Sequence, residues 1–222
     1  REAQDEFAHG SQLKYQAAHD ARRFNNEITS YSIPQRKGDD LIFEKDEHPR
    51  LSSTEKLSTL NPAFKKGGSV TAGNSSGIND GAAASLIVNE ATLKAFNLTP
   101  MARVVSMAIA GVTPDCMGVG PIPATHKALK RAGITASDID LAEVNEAFAA
   151  QAIPCVQELG LNPDIVNVNG GSIAIGHPLG ASGTRITATL LHEMQKREST
   201  KYGLATMCIG VGQGAAIIFE KC

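Results

Sequence analysis

The chain has 222 residues, of which 42% are hydrophobic, and its 21 basic and 23 acidic residues give a net charge of −2. This length fits one large domain, or one domain with a smaller lobe, and allows a sizeable core. Without a basic excess, nucleic acid is not an expected partner. No charge block indicates a membrane surface, and no apolar run approaches the ~20 residues of a bilayer span.

The four cysteines (Cys116, Cys155, Cys208 and Cys222) form no C-x-x-C pair and no regular framework. We therefore expect reduced thiols and a cytoplasmic type of compartment. The first residue is Arg1 rather than Met, which predicts that the sequence begins inside a longer one. Organellar targeting consequently stays open.

The first part of the chain is polar and irregular. Residues 1–27 have the pattern of a polar amphipathic helix, and residues 30–62 carry prolines and glycines around one apolar run, 41–43. We expect a lobe here rather than a self-sufficient core. Because composition changes near Val70 toward Gly, Ala and β-branched residues, we place a domain boundary between residues 1–70 and 71–222.

The second part alternates strand and helix patterns, which predicts an α/β layered domain. Its last two strands are close enough for a hairpin, so the predicted sheet is mixed. In chain order, the patterns predict strands at 82–88, 103–110, 141–144, 166–168, 204–209 and 215–219, and helices at 89–96, 123–131 (ended by Gly133), from 147 and at 182–196.

A glycine-rich stretch, residues 169–183, joins a predicted strand to the last predicted helix. Glycines let backbone approach a ligand closely, and His177 is the only titratable side chain of the stretch. Neither a G-x-G-x-x-G run nor a Lys-Ser/Thr ending indicates a nucleotide loop. Two interpretations stay open: a connection with an incidental histidine, or a site that uses its imidazole as acid or base.

Three other stretches place polar groups where a strand gives way to a loop, as ligand sites of α/β sheets do. Asn145 is either a helix N-cap or an amide that orients a water or a carbonyl. Cys208 is either an inert buried thiol or a reactive group before a glycine-rich turn. Residues 71–81 are either a turn-rich loop or a polar ligand contact. No second ligand pair accompanies Cys208 and His177, which argues against zinc.

Taken in order, five stretches resemble the thiolase family, closest to its acetyl-CoA acetyltransferase branch. They are residues 71–82, 117–121, 145–148, 176–178 and 208–210. The resemblance runs from about residue 1 to residue 221. It implies a thiolase-like fold of two similar α/β halves. This chain would supply the C-terminal half, a mixed sheet covered by helices, with part of the inserted loop domain. No residue here matches the motif of the family's nucleophilic cysteine, which lies in the first half.

The resemblance implies cleavage of a 3-ketoacyl-CoA such as acetoacetyl-CoA by CoA, or condensation of two acetyl-CoA, through an acyl-cysteine intermediate. His177 would take the proton of the nucleophilic thiol, and Cys208 would be the second acid/base. Asn145 would hold a water for the enolate oxygen, and the amide of Gly210 would bind the thioester oxygen.

The resemblance also implies contacts with CoA and the acyl group. Ser76 and Phe64 match positions near the pantetheine arm, Met117 and Phe148 match positions of the acyl pocket, and Arg50 lies near the nucleotide. A packing role stays open for each of these five residues.

The implied partners are acyl-CoA, CoA, the missing N-terminal half and further copies in a homodimer or homotetramer, without nucleic acid, membrane or a cofactor beyond the CoA thioesters. An alternative, favoured by the missing nucleophile, is a non-catalytic thiolase-like protein that binds acyl-CoA or serves assembly. Retention of Asn145, His177 and Cys208 favours the enzyme. Ketoacyl synthases, a further alternative, generally have a second histidine where Cys208 stands.

Two residues depart from expectation. Val211 stands where many thiolases have glycine, and because β-branched residues resist positive φ, we expect it to be extended. Pro154 falls inside the helix predicted after Asn145 and removes one of its hydrogen bonds.

Overall fold

The computed structural model describes all 222 residues and contains seven α-helices and six strands. Short 3₁₀ turns cover Pro114–Val119, Ala136–Asp138 and Pro163–Ile165. In chain order the elements are α1 (Glu2–Asp20), β1 (Tyr31–Ile33), β2 (Leu41–Phe43), α2 (Thr54–Ser58), α3 (Glu90–Ala95), β3 (Ala102–Gly111), α4 (Pro121–Ala132), β4 (Leu141–Val144), α5 (Ala149–Glu158), α6 (Ser172–Ile175), α7 (Ser182–Gln195), β5 (Tyr202–Ile209) and β6 (Gln213–Lys221).

The main sheet is mixed, as predicted. Its strand order is β3-β6-β5-β4, with β6 antiparallel to both neighbours and β5 parallel to β4. Strands β5 and β6 form the predicted hairpin. Residues of β4 and most of β5 are buried. Strands that are covered on both faces are rich in apolar residues, and this accounts for the mostly apolar sequence of these two.

Helices cover both faces of this sheet, α4 and α5 on one side and α7 on the other. In α7, Ile186, Leu190 and Met194 lie four residues apart and are all buried against the sheet. Helix α4 begins at Pro121, two residues before the predicted start, and ends at Gly133 in a left-handed conformation (φ 70°), the helix stop that the sequence predicts.

Helix α1 and Leu57 of α2 pack on the glycine-rich stretch. Helix α1 buries Ala8 against Ile173 and Tyr15 against Ala174. Strands β1 and β2 form a small, largely exposed hairpin. The domain boundary placed at residues 70 and 71 stays a prediction.

Two predicted strands are wrong. Residues 82–88 form no strand and are exposed, with Leu86 79% and Ile87 82% accessible. The apolar pattern of this run predicted burial, but no strand of the chain pairs with it. Residues 166–168 keep a single bridge, between Val166 and Ala142.

Asn167 explains why the second of these strands stops. Its φ of 45° turns the backbone out of the extended region. Its side-chain amide then pairs with both polar backbone atoms of Val144, because Oδ1 accepts from the N–H and Nδ2 donates to the carbonyl, each at 2.8 Å. One side chain therefore replaces a stretch of backbone ladder beside β4.

Pro154 lies inside α5, as predicted. The expectation for Val211 is wrong, because its φ is 67°. Val211 sits in the turn between β5 and β6 with its side chain 81% exposed, and the reversal of the chain there imposes the left-handed conformation. None of the helices combines the length and hydropathy that a bilayer crossing needs.

A buried carboxylate joins three parts of the fold. Glu146 accepts hydrogen bonds from Ser11 Oγ of α1 (2.7 Å), from Asn167 Nδ2 (2.7 Å) and from the N–H of Ile173 in α6 (3.1 Å). Gly171 passes directly over it, so that an added Cβ would lie 2.1 Å from the carboxylate carbon. The glycine-rich stretch is thus seated on Glu146, and only glycine fits at position 171.

We expect Gly171→Ala to lower the free energy of unfolding by about 1–3 kcal/mol or more, because the new methyl group overlaps Glu146. Gly10→Ala is the matched control, since Gly10 lies in α1 with nothing within 4 Å of its added Cβ; alanine there should be neutral or stabilise by up to about 1 kcal/mol. Urea denaturation measures both. Equal effects of the two substitutions would contradict the seating of residue 171 on Glu146.

The uncovered part of the main sheet predicts self-association of the 222-residue chain. Strand β3 is an edge strand, Met107 and Ile109 on it are 64% and 62% exposed, and they line an apolar groove of about 550 Å³. Large apolar patches and open edges favour association. Sedimentation velocity should show oligomers that Ile109→Lys weakens and Leu51→Lys, at an exposed site on another segment, does not. A monomer at all concentrations would refute this expectation.

Candidate active site

Asn145 is held at the carboxyl end of β4. Its N–H donates to the carbonyl of Thr206 on β5 at 2.9 Å, which extends the parallel ladder by one residue. The N-cap interpretation is wrong, because α5 begins at Ala149 and has Phe148 at its N-cap position. The amide of Asn145 is therefore available for other contacts, and it is almost completely buried.

His177 is fixed through its backbone and both ring nitrogens. Its N–H donates to Asn79 Oδ1 at 3.1 Å, Nδ1 lies 2.6 Å from Ser182 Oγ at the start of α7, and Nε2 lies 3.4 Å from Asn145 Nδ2. Gly176 before it has a φ of 108°, and its added Cβ would lie 2.6 Å from Asn79 Oδ1. Histidine and asparagine, 32 residues apart in sequence, are thereby brought into contact.

Two effects lower the pKa of His177: burial, which disfavours the charged imidazolium, and then the positive charge of Arg185. A lowered pKa keeps the ring neutral at pH 7. Neutral imidazole can accept a proton, so His177 has the protonation state that a general base needs.

Cys208 is the penultimate residue of β5 and is buried opposite Gly214 of β6. Burial raises the pKa of its thiol, so the thiol is protonated at neutral pH and can act first as a proton donor. A second buried thiol, Cys155 of α5, has its pKa raised to about 11 by burial and donates to the carbonyl of Gly118 at 3.4 Å.

Gly210 follows β5 in the exposed turn, and its N–H has no acceptor within the chain. No atom comes within 4 Å of an added Cβ at this position. The amide is therefore a free donor one residue beyond the strand that carries Cys208.

The predicted pantetheine and acyl-pocket residues lie partly together. The N–H and Oγ of Ser76 both donate to the carbonyl of Ala147, at 3.1 and 3.2 Å. The Phe64 ring, largely exposed, stands edge-on to the Phe148 ring at a centroid distance of 5.8 Å. Ser76 and this aromatic pair thus border the segment that carries Asn145.

The remaining two predicted residues, Met117 and Arg50, are held by other parts of the fold. Met117 is half-buried in the 3₁₀ turn Pro114–Val119. The residue after it, Gly118, contacts α5. The exposed Arg50 is tied to α1, because its backbone N–H donates to Gln12 Oε1 at 3.0 Å. Its guanidinium makes no contact with the pair.

Sequence reasoning missed a buried polar group behind Asn145. Ser172 Oγ lies 2.6 Å from Asn145 Oδ1 and 2.7 Å from Arg185 Nη2. Ser172 sits in the unpredicted helix α6, and Arg185 is on the first turn of α7. Their only sequence signal is that both belong to, or directly follow, the glycine-rich stretch around His177.

Glu143 of β4 lies beside Arg185, with Oε2 3.9 Å from Nη1. Burial raises the pKa of Glu143 to about 8, against the opposing influence of the Arg185 charge. At neutral pH the carboxyl is therefore mostly protonated and the contact is not a full ion pair, which leaves the positive charge of Arg185 to act on His177.

Two large cavities lie away from these residues. One is the apolar groove on the open sheet face, and the other, of about 450 Å³, lies between the end of α1 and residues 44–46. The described residues contain no group of three or more His, Cys, Asp or Glu that could hold a metal ion.

Comparison with solved structures identifies the fold. The acetyl-CoA acetyltransferase of Bacillus anthracis superposes with a TM-score of 0.94 at 42% identity, covering 100% of this chain and 56% of that one. Human mitochondrial 3-ketoacyl-CoA thiolase gives 0.89 at 44% identity, covering 100% of this chain and 55% of that one, and the same values hold for its complex with CoA. The mixed sheet with helices on both faces is thus the fold of thiolases.

Sequence comparison agrees. The family models for the thiolase C-terminal and N-terminal domains match residues 98–221 and 1–91. Acetyl-CoA acetyltransferases of Thiocystis violacea and Cupriavidus necator are 58% and 55% identical over the whole chain, which covers 56% of each. The chain belongs to the thiolase family, as its motifs predicted, and spans a little over half the length of these relatives.

The raised pKa of Glu143 predicts a pH dependence of stability. In the unfolded chain a glutamate ionises near pH 4.3, whereas in the fold it keeps its proton to about pH 8. Between these values the folded state binds one more proton, so the free energy of unfolding falls as pH rises.

We expect Glu143→Gln to flatten that fall, because the amide resembles the protonated carboxyl and does not ionise. At about pH 4, below the unfolded pKa, the variant should match the wild type, and near pH 8 it should be the more stable. Urea denaturation across this range is the measurement, with the exposed Glu6→Gln as control. Parallel curves for Glu143→Gln and wild type would show that the burial of Glu143 does not carry this dependence.

Proposed function

We propose that the protein carrying this chain is a thiolase-type acyltransferase that cleaves 3-ketoacyl-CoA, with acetoacetyl-CoA as the expected substrate, or condenses two acetyl-CoA. The observation that carries the proposal is the buried contact between His177 and Asn145 at the carboxyl end of β4, beside β5 with Cys208 as its penultimate residue. Membership of the thiolase family and relatives named acetyl-CoA acetyltransferase support the same reaction.

The neutral His177 ring takes the proton of the nucleophilic cysteine, which then attacks the carbonyl carbon of the acyl-CoA and forms an acyl-enzyme thioester. No cysteine of this chain matches the family's nucleophile, so that group is supplied by a part of the protein outside these residues. The N–H of Gly210, without an internal acceptor, is suited to hold the thioester oxygen of the intermediate.

Cys208 handles the second proton. Its raised pKa keeps it protonated, so on cleavage it can return a proton to the enolate carbon of the departing acetyl-CoA. In condensation the thiolate removes the same proton from the methyl group. His177 and a water held by the amide of Asn145 would donate hydrogen bonds to the enolate oxygen, which lowers the cost of its charge.

The CoA contacts follow from the residues beside Asn145. Ser76 and the Phe64–Phe148 pair offer a surface of one hydroxyl and two rings for the pantetheine arm and the acyl group. Met117 extends the acyl pocket, and the exposed guanidinium of Arg50 is free to pair with the phosphates of the nucleotide. The CoA complex of the human mitochondrial thiolase supports CoA thioesters as the ligand class.

The assembly and setting of the protein complete the proposal. The uncovered face of the main sheet supports docking of the thiolase N-terminal half, and a homodimer or homotetramer is the expected assembly. No cofactor beyond the CoA thioesters is required by this acid/base chemistry. Because Cys208 must be a free thiol, as it is here, a reducing compartment such as the cytoplasm suits the reaction.

Thiolysis of acetoacetyl-CoA by the full-length protein tests the roles of His177 and Cys208. We expect His177→Ala and Cys208→Ala each to lower kcat by about 10²- to 10⁴-fold, since each removes one proton-transfer group. Loss of the acetoacetyl-CoA enolate absorbance measures the rate. The exposed Cys222→Ala serves as the cysteine control and should keep wild-type activity.

Undiminished turnover in both variants would overturn the assigned roles. An inactive wild type that still binds acyl-CoA, with no acyl-enzyme thioester after incubation with acetyl-CoA, would instead favour the non-catalytic binding protein.

A further inference from the structure

The buried contacts around His177 form one continuous chain of hydrogen bonds. It runs from Arg185 to Ser172, to Asn145, to His177 and ends at Ser182, which donates to the carbonyl of Pro178 at 3.0 Å. Ser172 is buried, and so are Asn145, His177 and Ser182.

The two ends of this chain fix its direction. Guanidinium groups can only donate, so Ser172 Oγ accepts from Arg185 Nη2. The single proton of the Ser172 hydroxyl is then free to be donated to Asn145, 2.6 Å away. The Ser172 hydroxyl has no other acceptor in the chain, which places the oxygen of Asn145 toward Ser172 and its NH₂ group toward His177. The hydrogen-bond network thus assigns the orientation of the amide.

The other end imposes the same direction. The Ser182 hydroxyl donates to the carbonyl of Pro178 at 3.0 Å, and with its single proton used there, Ser182 Oγ accepts from His177 Nδ1 at 2.6 Å. His177 thus carries its proton on Nδ1, and its Nε2 is an unprotonated acceptor that faces the amide of Asn145 at 3.4 Å. The assignments made from the two ends agree on one tautomer of His177.

We propose that Ser172 and Arg185 are positioning residues for the base of this site. They orient the Asn145 amide so that only the Nδ1-protonated, neutral form of His177 fits, and that form has an unprotonated Nε2 that can accept a proton. The catalytic consequence rests on the proposed function, whereas the tautomer and its dependence on Ser172 do not.

The charged surroundings of His177 agree with this role. Arg185 supplies a positive charge that opposes protonation of the ring. Glu143 adjoins Arg185 but is mostly protonated at neutral pH, because burial raises its pKa to about 8. His48, which approaches Asn79 Nδ2 to 3.4 Å, also has its pKa lowered by burial. Asp46 is held partly buried among Arg185, His48 and His19, and Glu27 accepts from Thr189 of α7.

The test is NMR of ¹⁵N-histidine-labelled full-length protein, with His177→Gln to assign the signals. Wild-type His177 should show a protonated Nδ1 and an unprotonated Nε2. In Ser172→Ala the amide can turn its oxygen toward Nε2, so we expect an Nε2-protonated population and a pKa of His177 raised by about one unit, the equivalent of one hydrogen bond. In Arg185→Lys a cation that can only donate remains at this position, so the tautomer and pKa of His177 should stay near those of the wild type.

Two further variants make the result decisive. Ser106→Ala removes another buried hydroxyl, which donates to the carbonyl of Ala128 at 2.8 Å, and should leave the tautomer and pKa of His177 unchanged although it costs similar stability. Asn145→Asp places a carboxylate oxygen against Nε2 and should produce the Nε2-protonated form even if Ser172→Ala fails to fold. A wild type protonated on Nε2, or a Ser172→Ala protein with the wild-type tautomer and pKa, would overturn the proposal.

Kinetics link the positioning to the reaction. In thiolysis of acetoacetyl-CoA we expect Ser172→Ala to lower kcat about tenfold, with KM unchanged and the acid limb of the pH profile moved upward with the pKa of His177. A general structural defect would lower activity without that shift. If the wild-type protein shows no thiolysis, the proposed function fails, and the NMR experiment still decides whether Ser172 positions the base.

Discussion

The structure depends on the burial of one carboxylate. Glu146, directly after Asn145, accepts hydrogen bonds from three elements that are distant in sequence: α1, the turn at Asn167 and α6. Burial raises its pKa and these donors oppose that rise. Burying one ionised carboxylate without such donors would destabilise the fold by roughly several kcal/mol. Its three partners must therefore be in place together. That requirement fixes where the glycine-rich stretch runs.

The site inherits its geometry from this arrangement. Because Gly171 lies against Glu146, the helix α6 that follows must point Ser172 back toward Asn145. The stretch then turns at Gly176, where the contact with Asn79 leaves no space for a side chain, and presents His177 to the same amide. An imidazole and an amide that originate from two separate loops thus meet because both loops are attached to one buried residue.

Regular elements with strong patterns were predictable from the sequence. Helix α7, with its four-residue apolar spacing, and the hairpin of β5 and β6 lie where the patterns put them. The exposed, irregular conformation of residues 82–88 was not predictable. An apolar pattern indicates that a segment is suited to burial, but it does not show whether a neighbouring strand exists. The side chain of Asn167 took over pairing with β4, which no propensity encodes.

The site was predictable only in its outline. His177, Asn145 and Cys208 were singled out by their positions and by the resemblance to thiolases. Ser172 and Arg185 were not, because a serine in a glycine-rich stretch and an arginine in a helix have no special signal until folding brings them together. Partners of this kind depend on distances across the fold, which a single sequence does not contain.

The left-handed valine at the β5–β6 turn has a cost and a use. For a residue with a Cβ, and above all a branched one, that conformation is unfavourable by about 1–2 kcal/mol. The carbonyl of the neighbouring Gly212, whose φ is 82°, accepts from the N–H of Val112 at 2.8 Å, and an added Cβ at Gly212 would lie 2.3 Å from Val112 O. The strained conformation of Val211 is therefore part of the turn that presents the unpaired N–H of Gly210 to an approaching acceptor.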